Sequence, residues 1–479
     1  MAATAPEPRH DRSDAPPIAE HALIGERPHY NVTFLFLALG GLALAVSQSL
    51  VAPALREIQI DVGVSTTAAT WVLTSFLLSA SVATPILGRL GDMFGKKRVL
   101  VIALTAVAIG TFVSAVAGSL GLLVAGRVIQ GLGGGVFPLS MAIIRDEFPR
   151  ERVAGGIALI SAILGVGGGL GIVLAGPIVD HLNYHWLFWF PFVVVTIAAV
   201  GVFLVVPESP IRTRGRVDWA GAVLLAGWLV ALLLPISEGR SWGWTSGRVL
   251  GLFAAAVVLA LAWIAVEIRS REPLVDMRMM RLRGVWTTNA TAVLLGAGMF
   301  GSFILVPQLV ELPKSTGYGF GGSVTQAGLY LLPSALMMLV FSVVAGRIIS
   351  AVGPRLPLIL GTSISVLSFL VLALAHSEGY EILLGTTLLG IGIGFAYSAM
   401  ANQIVDSVPS EQTGVATGMN TIMRTIGGSL GATVSAVIIS SFTASDGLPR
   451  EQGFTIAFAV SAVALAGAVL AALAVPARR

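Results

Sequence analysis

Long apolar runs recur from the thirties to the last few residues of the chain, and they constrain the fold more than any other feature. Each run is long enough to cross a bilayer, which takes about 20 residues of helix. Lipid leaves only helices or closed barrels as spanning structures, and these runs are too long and too continuously apolar for barrel strands. The sequence therefore predicts an all-α polytopic membrane protein with 14 transmembrane helices. The predicted spans begin near Asn31, Ala68, Val99, Leu120, Val153, Trp186, Val217, Arg248, Trp286, Val324, Leu356, Gly379, Thr413 and Gly453.

Basic residues concentrate on one side of these spans. Of 29 Lys and Arg residues, 22 lie in the N-terminal tail or in alternate connections, and 5 lie in the opposite connections. By the positive-inside rule, both termini of this multi-pass protein are expected in the cytoplasm, and we expect the plasma membrane as its location. Residues 1–30 are polar and proline-rich, which predicts a disordered cytoplasmic tail. The positive-inside rule accounts for the excess of basic residues, so this excess does not indicate nucleic-acid binding. We expect a lipid bilayer as partner and no nucleic acid.

Two parts of the chain repeat each other. The stretch "GRLGDMFGKK" from Gly88 aligns with "GRIISAVGPR" from Gly346 at an offset of 258 residues. The glycines at 131, 133 and 135 align with those at 390, 392 and 394 at an offset of 259, and Gly155 aligns with Gly414. Paired six-helix halves are typical of transporters, whose substrate site lies near the bilayer midplane. We therefore predict six-helix bundles over residues 31–207 and 284–479, with two additional linker helices over 208–283.

The connection between the second and third spans combines glycine and charge in a chain that is only 11% charged. Its glycines, Gly88 and Gly95, let two helix ends approach closely. Its aspartate, Asp92, can accept hydrogen bonds from a neighbouring helix N-terminus or pair with the basic residues that follow. Alternatively, the basic residues only fix topology, which would need neither the aspartate nor the glycines. Ser350 replaces the aspartate in the second copy, so the two copies cannot be equivalent. The residues of the connection that such contacts involve are Gly88, Asp92, Gly95, Lys96 and Arg98.

This connection resembles the G-x-L-x-D-x-x-G-R/K-K/R signature of the major facilitator superfamily. The count of six, two and six spans is similar to that of its fourteen-helix drug:proton antiporter branch, as are "VDWAGAVLL" from Val217 and "GVATGMNTIMRTIGGSLG" from Gly414. The resemblance implies the major facilitator fold and a cytoplasmic gate, made of these five residues of the connection, that closes the inward face. It also implies an arginine of the fourth helix that acts in proton coupling or supports the gate. The family motif R-x-x-Q-G-x-G is matched by Arg127, Gln130, Gly131 and Gly133.

Two patterns of the family are incomplete. The helix-five exporter motif keeps Gly176 and Pro177, where we expect a kink, but it lacks its other glycines. The acid that the branch carries in helix one is replaced by Ser47, and the carboxylate nearest to a span interior is Glu311, which can equally be a loop residue. The candidates for proton coupling are Arg127, Glu311 and Arg424, with Asp180 and Glu238 as weaker alternatives.

The resemblance implies a secondary active transporter that exports amphiphilic or hydrophobic compounds by proton antiport, as in multidrug efflux. Uptake by symport and lipid translocation are alternatives within the same fold, and a membrane scaffold or enzyme is an alternative from another class. An enzyme would need a buried catalytic or metal-binding set, whereas the six histidines lie in the tail or at helix ends. We expect a monomer without a cofactor or bound metal. The expected polar groups of the substrate cavity are Ser47, Gln48, Asn289, Gln308, Tyr330, Asn402 and Asn420.

Overall fold

The computed structural model describes residues 30–209, 218–443 and 448–476. Apart from Tyr30, the predicted disordered tail over residues 1–30 lies outside the described residues. The described residues contain fourteen helices that are long and apolar enough to span a membrane, so the predicted number and fold class are confirmed. These helices are α1 (Tyr30–Ser49), α2 (Trp71–Phe94), α3 (Lys96–Ala115), α4 (Leu120–Glu147), α5 (Arg150–His181), α6 (Trp186–Val205), α7 (Trp219–Trp242), α8 (Gly247–Arg269), α9 (Arg283–Glu311), α10 (Val324–Val352), α11 (Arg355–Leu374), α12 (Gly379–Ser407), α13 (Thr413–Ser441) and α14 (Glu451–Leu473).

Each helix begins within three residues of its predicted start, because charged, Gly or Pro clusters end the apolar runs. Side-chain caps fix several of these starts: Ser119 accepts a hydrogen bond from the first turn of α4, and Ser246 does the same for α8. A 3₁₀ turn interrupts α4 at its glycine ladder, Leu132–Gly135. The remaining helical segments are short, and they are Leu55–Val62, Thr66–Ala69, Met277–Met280, Lys314–Thr316 and Ser410–Gln412.

The helices pack in two sets that follow the sequence repeat. In the first set α1 packs against α5 and α6, while α3 packs against α4 and α6. In the second set α9 packs against α13 and α14, while α11 packs against α12 and α14. The two linker helices, α7 and α8, pack against each other. The boundaries 31–207, 208–283 and 284–479 stay a prediction.

The two ends of the bundle carry different connections. We call one the basic end, because the connections there hold most of the Lys and Arg residues, and we call the other the opposite end. The basic end includes Gly95, Phe148, Ser270, Gly353 and Val408. The opposite end includes Val116, Leu182, Gly243, Leu312 and Ala375.

The two sets meet along two helix pairs. The contact between α5 and α10 extends almost from end to end. At the basic end Gly346 of α10 lies against α5, and near the opposite end Gly176 of α5 lies against Thr325 of α10. The second pair, α2 and α13, is in direct contact toward the basic end. Toward the opposite end both of these helices bond to α7: Thr74 hydrogen-bonds with Ser237 at 2.9 Å, and Thr433 donates to the Ile236 carbonyl at 3.1 Å. Any site between the halves is therefore bordered by α2, α5, α10 and α13.

Candidate functional site

Two glycine crossings join the halves at the basic end. A Cβ atom on Gly88 of α2 would lie 2.6 Å from the carbonyl oxygen of Gly414 in α13, so these backbones touch. A Cβ atom on Gly346 of α10 would lie 3.0 Å from the Cα of Gly155 in α5. The repeat pairs Gly88 with Gly346 and Gly155 with Gly414, so the two crossings are equivalent positions of the two halves.

Asp92 links the halves at only one of these crossings. Its buried carboxylate accepts hydrogen bonds from the backbone nitrogens of Gly414, at 3.4 Å, and Val415, at 3.3 Å, in the first turn of α13. The unpaired N–H groups of a helix N-terminus carry partial positive charge and attract an anion. At the equivalent position of α10, the exposed Ser350 donates to the Gly346 carbonyl of its own helix at 3.0 Å. Only the crossing of α2 and α13 therefore has an ionic closure.

Arg145, in the last turn of α4, makes a second link across the halves. Its guanidinium donates to the carbonyl oxygens of Val408, at 2.9 Å, and Pro409, at 3.2 Å, beyond the end of α12. It also donates to Oγ1 of Thr413, the first residue of α13, at 2.6 Å. Asp92 and Arg145 thus hold the connection between α12 and α13 from two sides.

The basic residues of the predicted gate bond within the first half of the molecule. Lys96 forms a buried ion pair with Asp146 of α4. Glu208, beyond α6, accepts hydrogen bonds from the backbone nitrogens of Lys97, at 3.1 Å, and Arg98, at 3.3 Å. The left-handed φ of +114° at Gly95 favours glycine, and a Cβ atom there would meet the Glu208 carboxylate at 2.6 Å. These residues brace the ends of α2 and α3, so that Asp92 is held toward α13.

Arg127 is the centre of a buried polar cluster in the first half. Its Nε donates to the Val72 carbonyl at 2.9 Å, and its Nη1 donates to Oε1 of Gln130 at 2.6 Å. Gln130 in turn donates to the hydroxyl oxygens of Ser47, at 2.8 Å, and Thr111, at 2.7 Å. The cluster joins α1, α2, α3 and α4, and Ser47 takes part in it as an acceptor.

Arg424 lies in the second half without a comparable set of acceptors. Its guanidinium lies 4.5 Å from the ring centre of Tyr397 on α12, and both side chains are buried. One turn earlier on α13, Asn420 donates to Oδ1 of Asn289 on α9 at 2.9 Å. The structure thus brings Asn289 and Asn420 together between α9 and α13, one helical turn before Arg424.

The other predicted cavity residues are dispersed. Asn402 lies at the boundary of the halves, where it donates to the Ala154 carbonyl of α5 at 3.3 Å. Gln48 is half-buried on α1, and Tyr330 packs against Phe320 near the opposite end. The exposed residues Gln308 and Glu311 line a cavity of about 400 Å³ at the opposite end, together with Arg240. The helix α5 continues through Gly176, which packs on α10, and the exposed Pro177.

Two residues on which the site depends are not among those predicted from the sequence. Arg145 and Asp146 form an adjacent pair of opposite charges at the end of the fourth span, and an acid among the basic connections could have identified them. A further contact involves Glu238 of α7, which the sequence predicts as a weaker alternative for proton coupling. Its buried carboxylate accepts hydrogen bonds from Thr74 of α2 at 3.2 Å and from Ser241 at 3.1 Å. Among the described residues, no group of three or more His, Asp and Glu side chains is arranged to hold a metal ion.

Comparisons with known proteins agree with this architecture. The chain is 28% identical over 389 residues to multidrug resistance protein 3 of Bacillus subtilis (strain 168), covering 80% of this chain and 74% of that protein. It is 29% identical over 388 residues to the tetracenomycin C resistance and export protein of Streptomyces glaucescens, covering 80% and 71%. In fold it resembles the crystal structure of the human organic anion transporter MFSD10 (TETRAN), with a TM-score of 0.66 and 17% identity, covering 93% of this chain and 100% of that one. The family model described as Major Facilitator Superfamily matches residues 37–432 and 290–479, so the chain belongs to the major facilitator superfamily of membrane transporters.

Proposed function

We propose that this protein exports amphiphilic or hydrophobic compounds in exchange for protons, as in multidrug efflux. The observation that carries the proposal is the closure of the basic end by Asp92 and Arg145, which can break and re-form as the two halves move. An antiporter needs such a reversible closure, because its substrate site must open to one side of the membrane at a time. The relatives named for multidrug resistance and for tetracenomycin C resistance and export support the direction of transport.

The proposed orientation places the basic end and both termini in the cytoplasm of a plasma-membrane protein that works as a monomer. The distribution of basic residues supports this orientation through the positive-inside rule. In this orientation the described conformation is closed toward the cytoplasm. A cysteine in place of the exposed Arg271 should then react with an impermeant thiol reagent only after the membrane is permeabilised, whereas one in place of the exposed Ser315 should react in intact cells.

The strength of the closure can be estimated from its hydrogen bonds. A hydrogen bond to a charged group contributes about 1.5–3 kcal/mol, and 1.4 kcal/mol is a tenfold change in an equilibrium constant. Loss of the contact between Asp92 and Val415 would therefore shift the balance of the two states roughly ten- to hundredfold toward opening at the basic end. A shift of this size slows a cycle in which both states must be visited.

The proton-coupling group is proposed among two carboxylates near the opposite end. Glu311, the last residue of α9, is exposed at the rim of the cavity there, so that it can exchange protons with water. Glu238 is buried between α7 and α2, and its contact with Thr74 would change if α2 moved against α7. Arg127 and Arg424 remain proposed as supporting residues, since arginine stays charged at ordinary pH.

The substrate is proposed to bind between the halves, where polar groups are few. Of the seven polar residues proposed for the cavity, Asn289 and Asn420 lie opposite each other, about two helical turns from the basic end. Ser47 is enclosed by Gln130 in the described conformation, so it would reach a substrate only after rearrangement. The other proposed cavity residues are Gln48, Gln308, Tyr330 and Asn402.

The test is an efflux assay in a host that lacks its own pumps. Cells that express the wild type should accumulate less of several amphiphilic dyes and tolerate higher concentrations of amphiphilic antibiotics, and a protonophore should abolish both effects. The variant Asp92→Asn should lose most of this activity, and Ser350→Ala should keep it. Increased accumulation in cells expressing the wild type would point to uptake instead, and unchanged accumulation of every compound would contradict the proposal.

A further inference from the structure

The two buried arginines of the bundle differ in how their charge is satisfied. Arg127 is 0% exposed, and its guanidinium donates three hydrogen bonds, to carbonyl oxygens of Val72 and Ser47 and to the side chain of Gln130. Arg424 is 9% exposed, and among the described residues its guanidinium has neither a hydrogen-bond acceptor nor a carboxylate partner. Its charge instead lies over the ring of Tyr397, 4.5 Å from the ring centre. The donors of Arg424 are therefore available to a ligand.

The position of Arg424 makes the lack of an acceptor unfavourable in free energy. It lies eleven residues into α13, about 17 Å from the start of that helix, near the middle of the bilayer. A cation at this depth is unfavourable in a bilayer, and a cation–π contact offsets only part of that free-energy cost. The acidic residues of the described membrane-spanning helices lie within about two turns of a helix end, as Asp92 and Glu238 do. The middle of the bundle thus carries uncompensated positive charge.

A second donor without an acceptor lies on α9, beside the helical turn of α13 that precedes Arg424. The Nδ2 group of Asn289 is buried, the residue is 5% exposed, and this group has no hydrogen-bond partner in the described part of the chain. Its Oδ1 accepts from Asn420, which precedes Arg424 by one helical turn on the same face of α13. A guanidinium and an amide N–H group are both donors, and a buried donor without an acceptor is unfavourable. Neither group has an acceptor within the described part of the chain.

We propose that Arg424 and Asn289 form an anion subsite of the transport cavity, so that the preferred substrates carry a carboxylate or another planar oxyanion on an amphiphilic body. The guanidinium presents two parallel N–H groups that match the two oxygens of a carboxylate, and the amide of Asn289 supplies a further donor. A cationic amphiphile would meet like charge at the same place. The proposal rests on the transport function above and specifies its substrate class.

Binding and efflux of two dyes with the same ring system test the subsite. Fluorescein is an anion at neutral pH and rhodamine 123 is a cation, so binding of each to the purified protein can be followed by fluorescence anisotropy. The wild type should bind fluorescein more tightly than rhodamine 123. The variant Arg424→Gln should weaken fluorescein binding at least tenfold and leave rhodamine 123 within twofold, while Arg424→Lys should retain most fluorescein binding.

The matched control is Arg248→Gln, because Arg248 also stacks on an aromatic ring, that of Trp242 at 4.8 Å, but lies at the opposite end. This variant should bind both dyes as the wild type does. A preference of the wild type for rhodamine 123, or an equal loss of both dyes in Arg424→Gln, would overturn the anion subsite. Binding to the purified protein needs no gradient, so the binding and efflux assays can fail separately. If cells export dyes but the protein does not bind fluorescein more tightly than rhodamine 123, the subsite alone is contradicted. If the protein binds fluorescein selectively but cells do not export it, the export function alone is contradicted.

Discussion

The carboxylate of Asp92 on α2 lies 3.3 Å from the backbone nitrogen of Val415 in the first turn of α13, and this contact joins the two halves of the molecule. The repeat-related crossing of α5 and α10 has packed glycines but no such acid. Because α5 and α10 are packed along most of their length, that pair is suited to act as a pivot. We therefore propose that the crossing of α2 and α13 is the closure that opens.

The first prediction concerns this closure. Replacing Asp92 with Asn keeps the shape of the side chain but removes the charge that attracts the α13 N-terminus, so transport should fall at least tenfold. The amount of protein in the membrane and its melting temperature should stay close to those of the wild type. The control Ser350→Ala should transport normally, since the Ser350 hydroxyl bonds only within its own helix. Wild-type transport by Asp92→Asn would show that the loop only fixes topology.

The second prediction concerns the glycine crossing. In Gly88→Ala the added methyl group would lie 2.6 Å from the carbonyl oxygen of Gly414, so the basic end should fail to close and transport should be lost. The matched control is Gly155→Ala, because no atom outside its own helix lies within 4 Å of the added methyl group there. Transport assays of both variants, with expression measured in parallel, check this. Equal activity of the two variants would contradict backbone contact at this crossing.

The third prediction concerns the Arg127 cluster. Arg127→Gln removes the donor to the Val72 carbonyl and leaves the Gln130 side chain with an unsatisfied oxygen, so it should destabilise the protein by about 2–4 kcal/mol. Thermal unfolding of the purified protein should show a melting temperature lower by several degrees. Gln48→Ala, at a half-buried position on the adjoining α1, should cause a much smaller change. An unchanged melting temperature for Arg127→Gln would contradict a structural role of the cluster.

The fourth prediction concerns proton coupling. In proteoliposomes with an imposed pH gradient, the wild type should concentrate substrate, and Glu238→Gln and Glu311→Gln each remove one candidate carboxylate. The variant that carries only downhill flux identifies the coupling group, because a neutral amide cannot exchange a proton. If both single variants still concentrate substrate, neither acid couples alone. If the wild type accumulates the same amount of substrate with and without the pH gradient, proton coupling is excluded.

The number and starts of the helices could be predicted because fourteen long apolar runs end at clusters of charge, Gly and Pro. The repeat offsets identified Gly88 and Gly346 as equivalent positions, yet they did not indicate that these glycines meet Gly414 and Gly155 across the halves. A sequence offset reports equivalence between copies, whereas a contact depends on how the copies face each other.

The roles of charged residues were harder to predict. Arg145 and Asp146 stand at the end of a span, where topology alone explains a basic residue. The adjacent acid was the one signal of a further role, and it did not indicate the bonds to Val408 and Lys96. Distance from a span boundary did not predict burial either: Glu238 is enclosed because α7 packs against α2, a contact that no sequence pattern reports.

The most direct test of the account is a pair of distance measurements between spin labels in the two halves. The chain has no cysteine, so labels can be attached at Phe94 and Val352 for the basic end, and at Leu182 and Leu374 for the opposite end; all four side chains are exposed. Double electron–electron resonance on the wild type should give short distances between the labels at Phe94 and Val352. In Asp92→Asn these distances should lengthen, and the distances between the labels at Leu182 and Leu374 should shorten. Distances at both ends that are the same in the wild type and in Asp92→Asn would contradict the closure and the transport cycle built on it.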